Sequence, residues 1–206
     1  MLKTIITISR ETGSGGHSIG KMLADKLNYS FYDKEIVAQV ANKTGIDNTT
    51  ILENGENMSD STFIDLAAGF IPFSRKNKIP FDEIKKSQDN IILNIAKKGN
   101  CVIVGRGADY ILKDNPNAFH IFIHANMEHR ITRVMARDNE TNKAKIEKEL
   151  LIKDKSRNAY YRYFTDRYWG IVSNYNLTLD TSIFTEEQCC QIIIDALEKI
   201  GGKNNA

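Results

Sequence analysis

The stretch TISRETGSGGHSIG, Thr7 to Gly20, places three glycines within four positions, between a β-branched run and a helix-like segment. Glycines so spaced let successive backbone N–H groups converge on an oxyanion, and a helix N-terminus behind them adds partial positive charge. The chemistry this predicts is phosphate binding by Gly13, Ser14, Gly15, Gly16, His17 and Ser18, with the Ser18 hydroxyl placed to meet Mg2+. The template G-x-x-x-x-G-K-[ST] fits with two faults. With Gly16 and Ser18 on its late Gly and hydroxyl, Glu11 stands at the first Gly and His17 at the Lys. A His is mostly neutral at pH 7, so Arg10 or a more distant arginine is expected to supply the missing charge. Glu11 adds a negative charge near the site, tolerable if it pairs with Arg10 or contacts a metal-bound water. The competing reading is a tight strand-to-helix turn that binds nothing.

Two further groups could act on the same ligand. Gly105-Arg106-Gly107 follows the apolar run Asn100–Val104, and open α/β sheets bind ligands just beyond the C-terminal ends of their strands. Arg106 is therefore expected to face the crevice of the glycine loop, the alternative being a brace to backbone carbonyls. Arg130, Arg133 and Arg137 fall at i, i+3 and i+7 and so share a helix face, as do Asp154 and Arg157. Arg162 and Arg167 follow in a tyrosine-rich stretch. Residues 126–167 hold six of the nine arginines and a net charge of +4, against −2 for the remainder. Arginine suits bidentate phosphate contact, and a mobile helical pair carrying it would neutralise charge and exclude water in phosphoryl transfer. A salt-bridged surface hairpin is the alternative.

The elements that must position these groups are readable from periodicity. Thr4–Ser9 reads as a buried strand, and Ser18–Leu27 as a helix with Ile19, Met22, Leu23 and Leu27 along one side. Asp33 is placed to cap a helix beginning near Lys34. Thr44–Lys78 reads as a surface insertion, with a short helix in FIDLAAGFIPF and with Pro72 and Pro80 as punctuation. A longer helix is expected over Phe81–Lys98, strands over Asn100–Val104 and Phe119–Ile123, and polar helices over Met127–Asn139 and Lys145–Arg157. A short strand at Leu177–Leu179 and a helix over Thr185–Ile200, opened by a Thr185/Gln188 capping box, complete the pattern. Continuous apolar runs alternating with helices predict an α/β fold with a parallel sheet covered on both faces.

At 206 residues, 41% hydrophobic and 26% charged, the chain has the composition of a soluble globular protein and is expected to form one domain with mobile insertions. A net charge of +2 gives no reason to expect a nucleic-acid partner. No window approaches membrane-spanning length, and the N-terminal apolar run is short for a signal peptide, so no membrane partner and a cytoplasmic location are expected. Cys101, Cys189 and Cys190 have neither metal-ligand nor disulfide spacing.

The glycine loop, FYDKEIV, the helix with Gln88, CVIVGRGADYIL, the arginine-rich helix pair, RNAYYRYFTDRYWG and SNYNLTLDTS together resemble the cytidylate kinase-like proteins. These are a branch of the P-loop nucleoside monophosphate kinases, and the resemblance runs from about Thr4 to Leu197. It implies a three-layer fold around a central parallel sheet of about five strands, a monophosphate-binding insertion within about 34–98 and a helical lid within about 126–167. It implies transfer of the ATP γ-phosphoryl group to CMP or dCMP with Mg2+. By position, Gly13–Ser18 would hold the ATP phosphates, with Ser18 toward the metal and His17 at the catalytic Lys position. Asp33, Arg106, Asp154, Arg157 and Arg162 would serve the monophosphate, Arg133 and Arg137 the lid, and Asn174–Asp180 would end the last strand beside the ATP base. Arg133, Arg137 and Arg157 would stabilise the transferring charge. The chain departs from the family at Glu11, at His17, at Val104 and Gly107 where many members carry Asp, and at Gln39 near a monophosphate-binding Arg. Those departures keep open a nucleotide-binding protein with little turnover, or a kinase for another small acceptor.

Overall fold

The computed structural model describes residues 4–45 and 81–203. Most of the expected insertion, including FIDLAAGFIPF, Pro72 and Pro80, lies outside the described residues. In chain order the described elements are β1 (Ile5–Arg10), α1 (Gly16–Leu27), β2 (Ser30–Tyr32), α2 (Lys34–Thr44), α3 (Phe81–Lys98) and β3 (Cys101–Val104). They continue with α4 (Ala108–Ile111), β4 (Ala118–His124), α5 (Met127–Asp138), α6 (Lys143–Thr165), a 3-10 turn (Val172–Asn174), β5 (Leu177–Asp180) and α7 (Glu186–Lys203).

The five strands form a parallel sheet in the order β2-β3-β1-β4-β5. Parallel strands need helical crossovers, which cover both faces and so demand apolar side chains on both sides of each strand. Ile6, Ile8, Val102, Val104, Ile121 and Ile123 point to one face, where Ile19 and Leu23 of α1 and Cys189, Cys190 and Ile193 of α7 cover them. Ile5, Cys101 and Ile103 point to the other, against Ile36 and Val40 of α2 and Ile92 and Ile95 of α3. Each such buried aliphatic side chain contributes about 2 kcal/mol from area removed from water. A separate patch of Ile131, Val134, Ile146 and Leu150 joins α5 to α6. The three cysteines are free and buried, and desolvation pushes each thiol up to about 11, so they are inert packing residues.

Several element boundaries differ from the sequence reading. β2 and α4 are short elements that periodicity does not reveal. α1 begins at Gly16 rather than Ser18, because Gly15, at φ 86°, turns the chain so that its carbonyl already receives the Ile19 N–H at 3.0 Å. α6 continues to Thr165 instead of ending at Arg157. Its aromatic stretch has modest helix propensity, but Tyr160 and Tyr161 are buried and the Thr165 hydroxyl donates to the Tyr161 carbonyl at 2.6 Å, so packing overrides propensity. The helix stops at Asp166, φ 54°, whose N–H returns to the Arg162 carbonyl. The capping box is present: Gln188 N–H donates to Thr185 Oγ1, and Thr185 N–H donates to Gln188 Oε1.

Candidate functional site

The glycine loop leaves the C-terminal end of β1, at the centre of the sheet, and enters α1. Gly13 and Gly15 adopt φ 83° and 86°, a left-handed conformation that L side chains rarely take. At Gly16 the requirement is steric, since an added Cβ would lie 2.5 Å from Arg10 Cβ. The loop is pinned from below. Ser14 Oγ donates to the Glu11 and Ile123 carbonyls at 2.9 and 3.1 Å, and Thr181 Oγ1 at the end of β5 donates to the Ser14 carbonyl at 2.8 Å. Residues 13–18 thus form a fixed backbone turn at the N-terminus of a twelve-residue helix, the arrangement that suits an anion.

A buried charge cluster ties the arginine-rich helices to this loop. Asp154 Oδ1 on α6 accepts both the N–H and the hydroxyl of Thr12, each at 2.8 Å, while Asp154 Oδ2 is ion-paired with Arg130 Nη2. Arg130 also donates through Nε to the Thr12 carbonyl at 2.8 Å and lies 3.3 Å from Glu11 Oε2. Arg157 Nη1 donates to Thr12 Oγ1 at 2.6 Å and to the Arg10 carbonyl at 3.2 Å. Arg130 exposes only 5% of its side chain and Asp154 16%, so these charges act where water screens them poorly. Glu11 therefore pairs with Arg130 rather than with Arg10, and it also accepts the Ala125 N–H at 3.0 Å.

Over the loop itself, Arg133 Nη2 donates to Ser18 Oγ at 3.0 Å and is ion-paired with Glu186 at the start of α7. His17 does not lie back over the glycines. Its Nδ1 contacts Asp33 Oδ2 at 2.8 Å and its ring meets Phe31 edge-on, with 53% of the side chain exposed. Asp33 precedes α2, but its side chain makes no capping hydrogen bond, because it is turned to His17 instead. Arg106 is buried at φ 61°, and its carbonyl receives the Gln88 amide at 3.0 Å. A small cavity between the ends of β1 and β3 is lined by Ser9, Arg10, Gly105, Gly107, Arg157 and Trp169.

The structure thus brings Arg133 to Ser18 and Asp154 and Arg157 to Thr12 just before the glycines, and joins Asp33 to His17. It does not bring Arg137 or Arg162 there. Arg137 makes a two-point contact with neighbouring Asp138, both distances 2.6 Å, and Arg162 lies over the Tyr168 ring at 4.7 Å on the exposed side of α6. Helical spacing puts Arg130, Arg133 and Arg137 on one stripe, but only the first two lie level with the loop. Sequence reasoning missed Thr12, Glu186 and the buried Asp109, which accepts from Tyr161 Oη at 2.7 Å and from Ser9 Oγ at 3.3 Å. Thr12 carries no periodic signal, Glu186 reads as an ordinary first-turn acid, and Asp109 as an exposed residue of a loop. Among the described residues, no cluster of three or more His, Cys, Asp or Glu is placed to hold a metal, and no helix is long and apolar enough to cross a membrane.

The model of the cytidylate kinase-like family matches residues 5–183. A cytidylate kinase from Methanocaldococcus jannaschii is 26% identical over 200 residues, covering 95% of this chain and 98% of that one. Among solved structures, an uncharacterized protein from Eubacterium ventriosum superposes with a TM-score of 0.70 at 26% identity, over 95% of this chain and 98% of the other. A shikimate kinase from Acinetobacter baumannii in complex with shikimate gives 0.53 at 15% identity, over 96% and 94%, a likeness of fold alone.

Proposed function

This chain belongs to the cytidylate kinase-like family, and from that membership we propose that it transfers the γ-phosphoryl group of ATP to CMP or dCMP. One observation carries the reading beyond the family: Arg133 is delivered from α5 onto Ser18, across the mouth of a loop whose backbone is shaped for an anion. In the proposed mechanism the N–H groups of Gly13 to Ser18 hold the ATP phosphates. Arg133 replaces the charge that a loop Lys would bring. Arg157 and Asp154 fix the loop entrance at Thr12, and Arg157 borders the small cavity beside Gly105 and Gly107. Asp33 and Arg106 serve the acceptor side. No general base is required, because the acceptor phosphate is already an anion and the work consists of positioning and charge stabilisation. Arg137 and Arg162 take no part in holding ATP in this arrangement.

Ser18 Oγ is a hard oxygen donor at the first turn of α1. Mg2+ keeps several waters and leans on substrate phosphates rather than on an all-protein cage, so this single hydroxyl fits it once Arg133, which donates to Ser18 Oγ here, turns to the phosphates. When bound, Mg2+ would neutralise charge on the phosphate oxygens.

The contact of His17 with Asp33 favours a second reading. It draws the residue at the Lys position toward the acceptor side, as expected of a nucleotide-binding protein with little turnover or of a kinase for another small acceptor. One experiment separates these: ADP formation from ATP and Mg2+ with CMP, dCMP, UMP, AMP or no acceptor. Turnover with CMP or dCMP supports the proposal, turnover with another acceptor replaces the substrate, and ATP binding with no turnover supports the non-catalytic reading.

A further inference from the structure

Glu186 has no part in the proposed transfer, yet its carboxylate lies at the loop mouth. A Cβ built on Gly15 would stand 2.8 Å from Glu186 Oε1 and 3.2 Å from Arg133 Cζ, so both charged groups rest directly on the glycine turn. Arg133 Nη2 is shared between Glu186 Oε1 and Ser18 Oγ. The contact with Glu186 is an ion pair without an aligned hydrogen bond, for Glu186 Oε1 is buried and receives none. This oxygen has the ion pair but no hydrogen bond to offset its burial. Here it also occupies a spot that backbone N–H groups and the start of α1 make favourable for an anion.

We propose that Glu186 is a positioning residue that holds Arg133 across the loop and competes with nucleotide phosphates for the same guanidinium. The inference rests on reading residues 13–18 as a phosphate site. A phosphate group offers Arg133 the planar two-point contact that Glu186 does not make, so binding transfers Arg133 from the carboxylate to the phosphate and moves Glu186 off Gly15. The carboxylate thereby lowers affinity for the donor nucleotide and sets a threshold against weaker anions.

The test titrates ATP, and separately inorganic tripolyphosphate, into the full chain by calorimetry, for the natural protein, Glu186→Gln and Glu186→Asp, at low and high salt. The reciprocal cap of Thr185 and Gln188 opens α7 without Glu186, so Glu186→Gln should keep its melting temperature. The expected result is that Glu186→Gln binds both ligands about fivefold more tightly, the scale of one partly screened charge pair. High salt should shrink the gain, and Glu186→Asp should stay close to the natural protein. A change that salt does not move, equal tightening by Glu186→Asp, or affinity unchanged or weakened in Glu186→Gln overturns the inference while leaving the phosphate site standing. If none of the proteins binds either ligand, the phosphate-site reading falls and the inference with it.

Discussion

Two groups of buried polar side chains hang from β1 and its extension, and they are built on different principles. The one at Thr12 is ionic: Asp154, Arg130, Arg157 and Glu11 converge from α5, α6 and the loop. The one at Thr7 and Ser9 lies on the sheet, where Asp109 accepts from the hydroxyls of Ser9 and Tyr161, and where His120 faces Thr7. The first joins separate elements by charges whose removal takes an ionic partner from other buried charges. In the second, hydroxyls meet the carboxylate and the imidazole inside an already formed core. The ionic group is therefore the fragile connection between helices and loop, and the sheet group a local fitting whose members can be exchanged at lower cost.

Asp154→Ala should have the largest effect and would break the comparison if it did not. It strips Thr12 of an acceptor and leaves Arg130 and Arg157 beside one another without their shared carboxylate. Breaking a buried pair from one side costs about 3 kcal/mol, and the loop loses its attachment to α6. Urea unfolding should show that loss, and phosphoryl transfer should fall by about a hundredfold or more, the scale of misplacing bound reactants. A cost under about 1 kcal/mol would mean that these charges behave as surface pairs.

In the sheet group, Tyr161→Phe keeps the ring and removes one donor from Asp109. The expected cost is about 2 kcal/mol, that of losing one hydrogen bond to a buried charged group, with the urea dependence of unfolding unchanged in slope. A loss as large as that of Asp154→Ala would erase the distinction between the two groups.

His120 sharpens the contrast through pH. Its Nδ1 lies 2.8 Å from the Thr7 hydroxyl, a contact that a neutral ring can make. Burial holds the His120 pKa below its ordinary 6.5, so as pH falls the unfolded chain takes up a proton before the folded one does. The associated stability is intact above about pH 6.5 and is lost as pH falls through that value toward the folded pKa. The slope is at most about 1.4 kcal/mol per pH unit for one proton. Unfolding free energies at pH 7.5 and 5.5 should differ more in the natural protein than in His120→Gln, and equal differences would show that His120 is not responsible.

Much of this frame was legible in the sequence. The parallel sheet follows from apolar runs at β1, β3 and β4 joined by helices, and the glycine loop from its place between a strand and a helix. The division of labour among arginines was not legible. Helical periodicity gives direction around an axis but not height along it, so it cannot tell Arg133, level with Ser18, from Arg137, one turn farther on. His120 sits in the run FHIFI, whose continuous apolar character marks a buried strand but does not show that Thr7 is its neighbour across a parallel register. Asp109 follows a glycine turn that reads as exposed, and only α6 folding back over it, with Tyr161, buries the carboxylate.

Arg137→Ala should give the smallest effect and so serves as the outer reference for both groups. Arg137 exposes 60% of its side chain and its ionic contact is with adjacent Asp138, a surface pair worth about 0.5 kcal/mol or less. Stability should barely move. Activity is the more discriminating readout: if α5 keeps its present height relative to Ser18 through the reaction, kcat should remain within about twofold, since Arg137 stays beyond the loop. A fall of about tenfold or more with unchanged stability would show the far end of α5 swinging over the phosphates during turnover. The ionic group at Thr12 would then be the pivot of that motion, and Asp154→Ala and Arg137→Ala would combine non-additively in kcat.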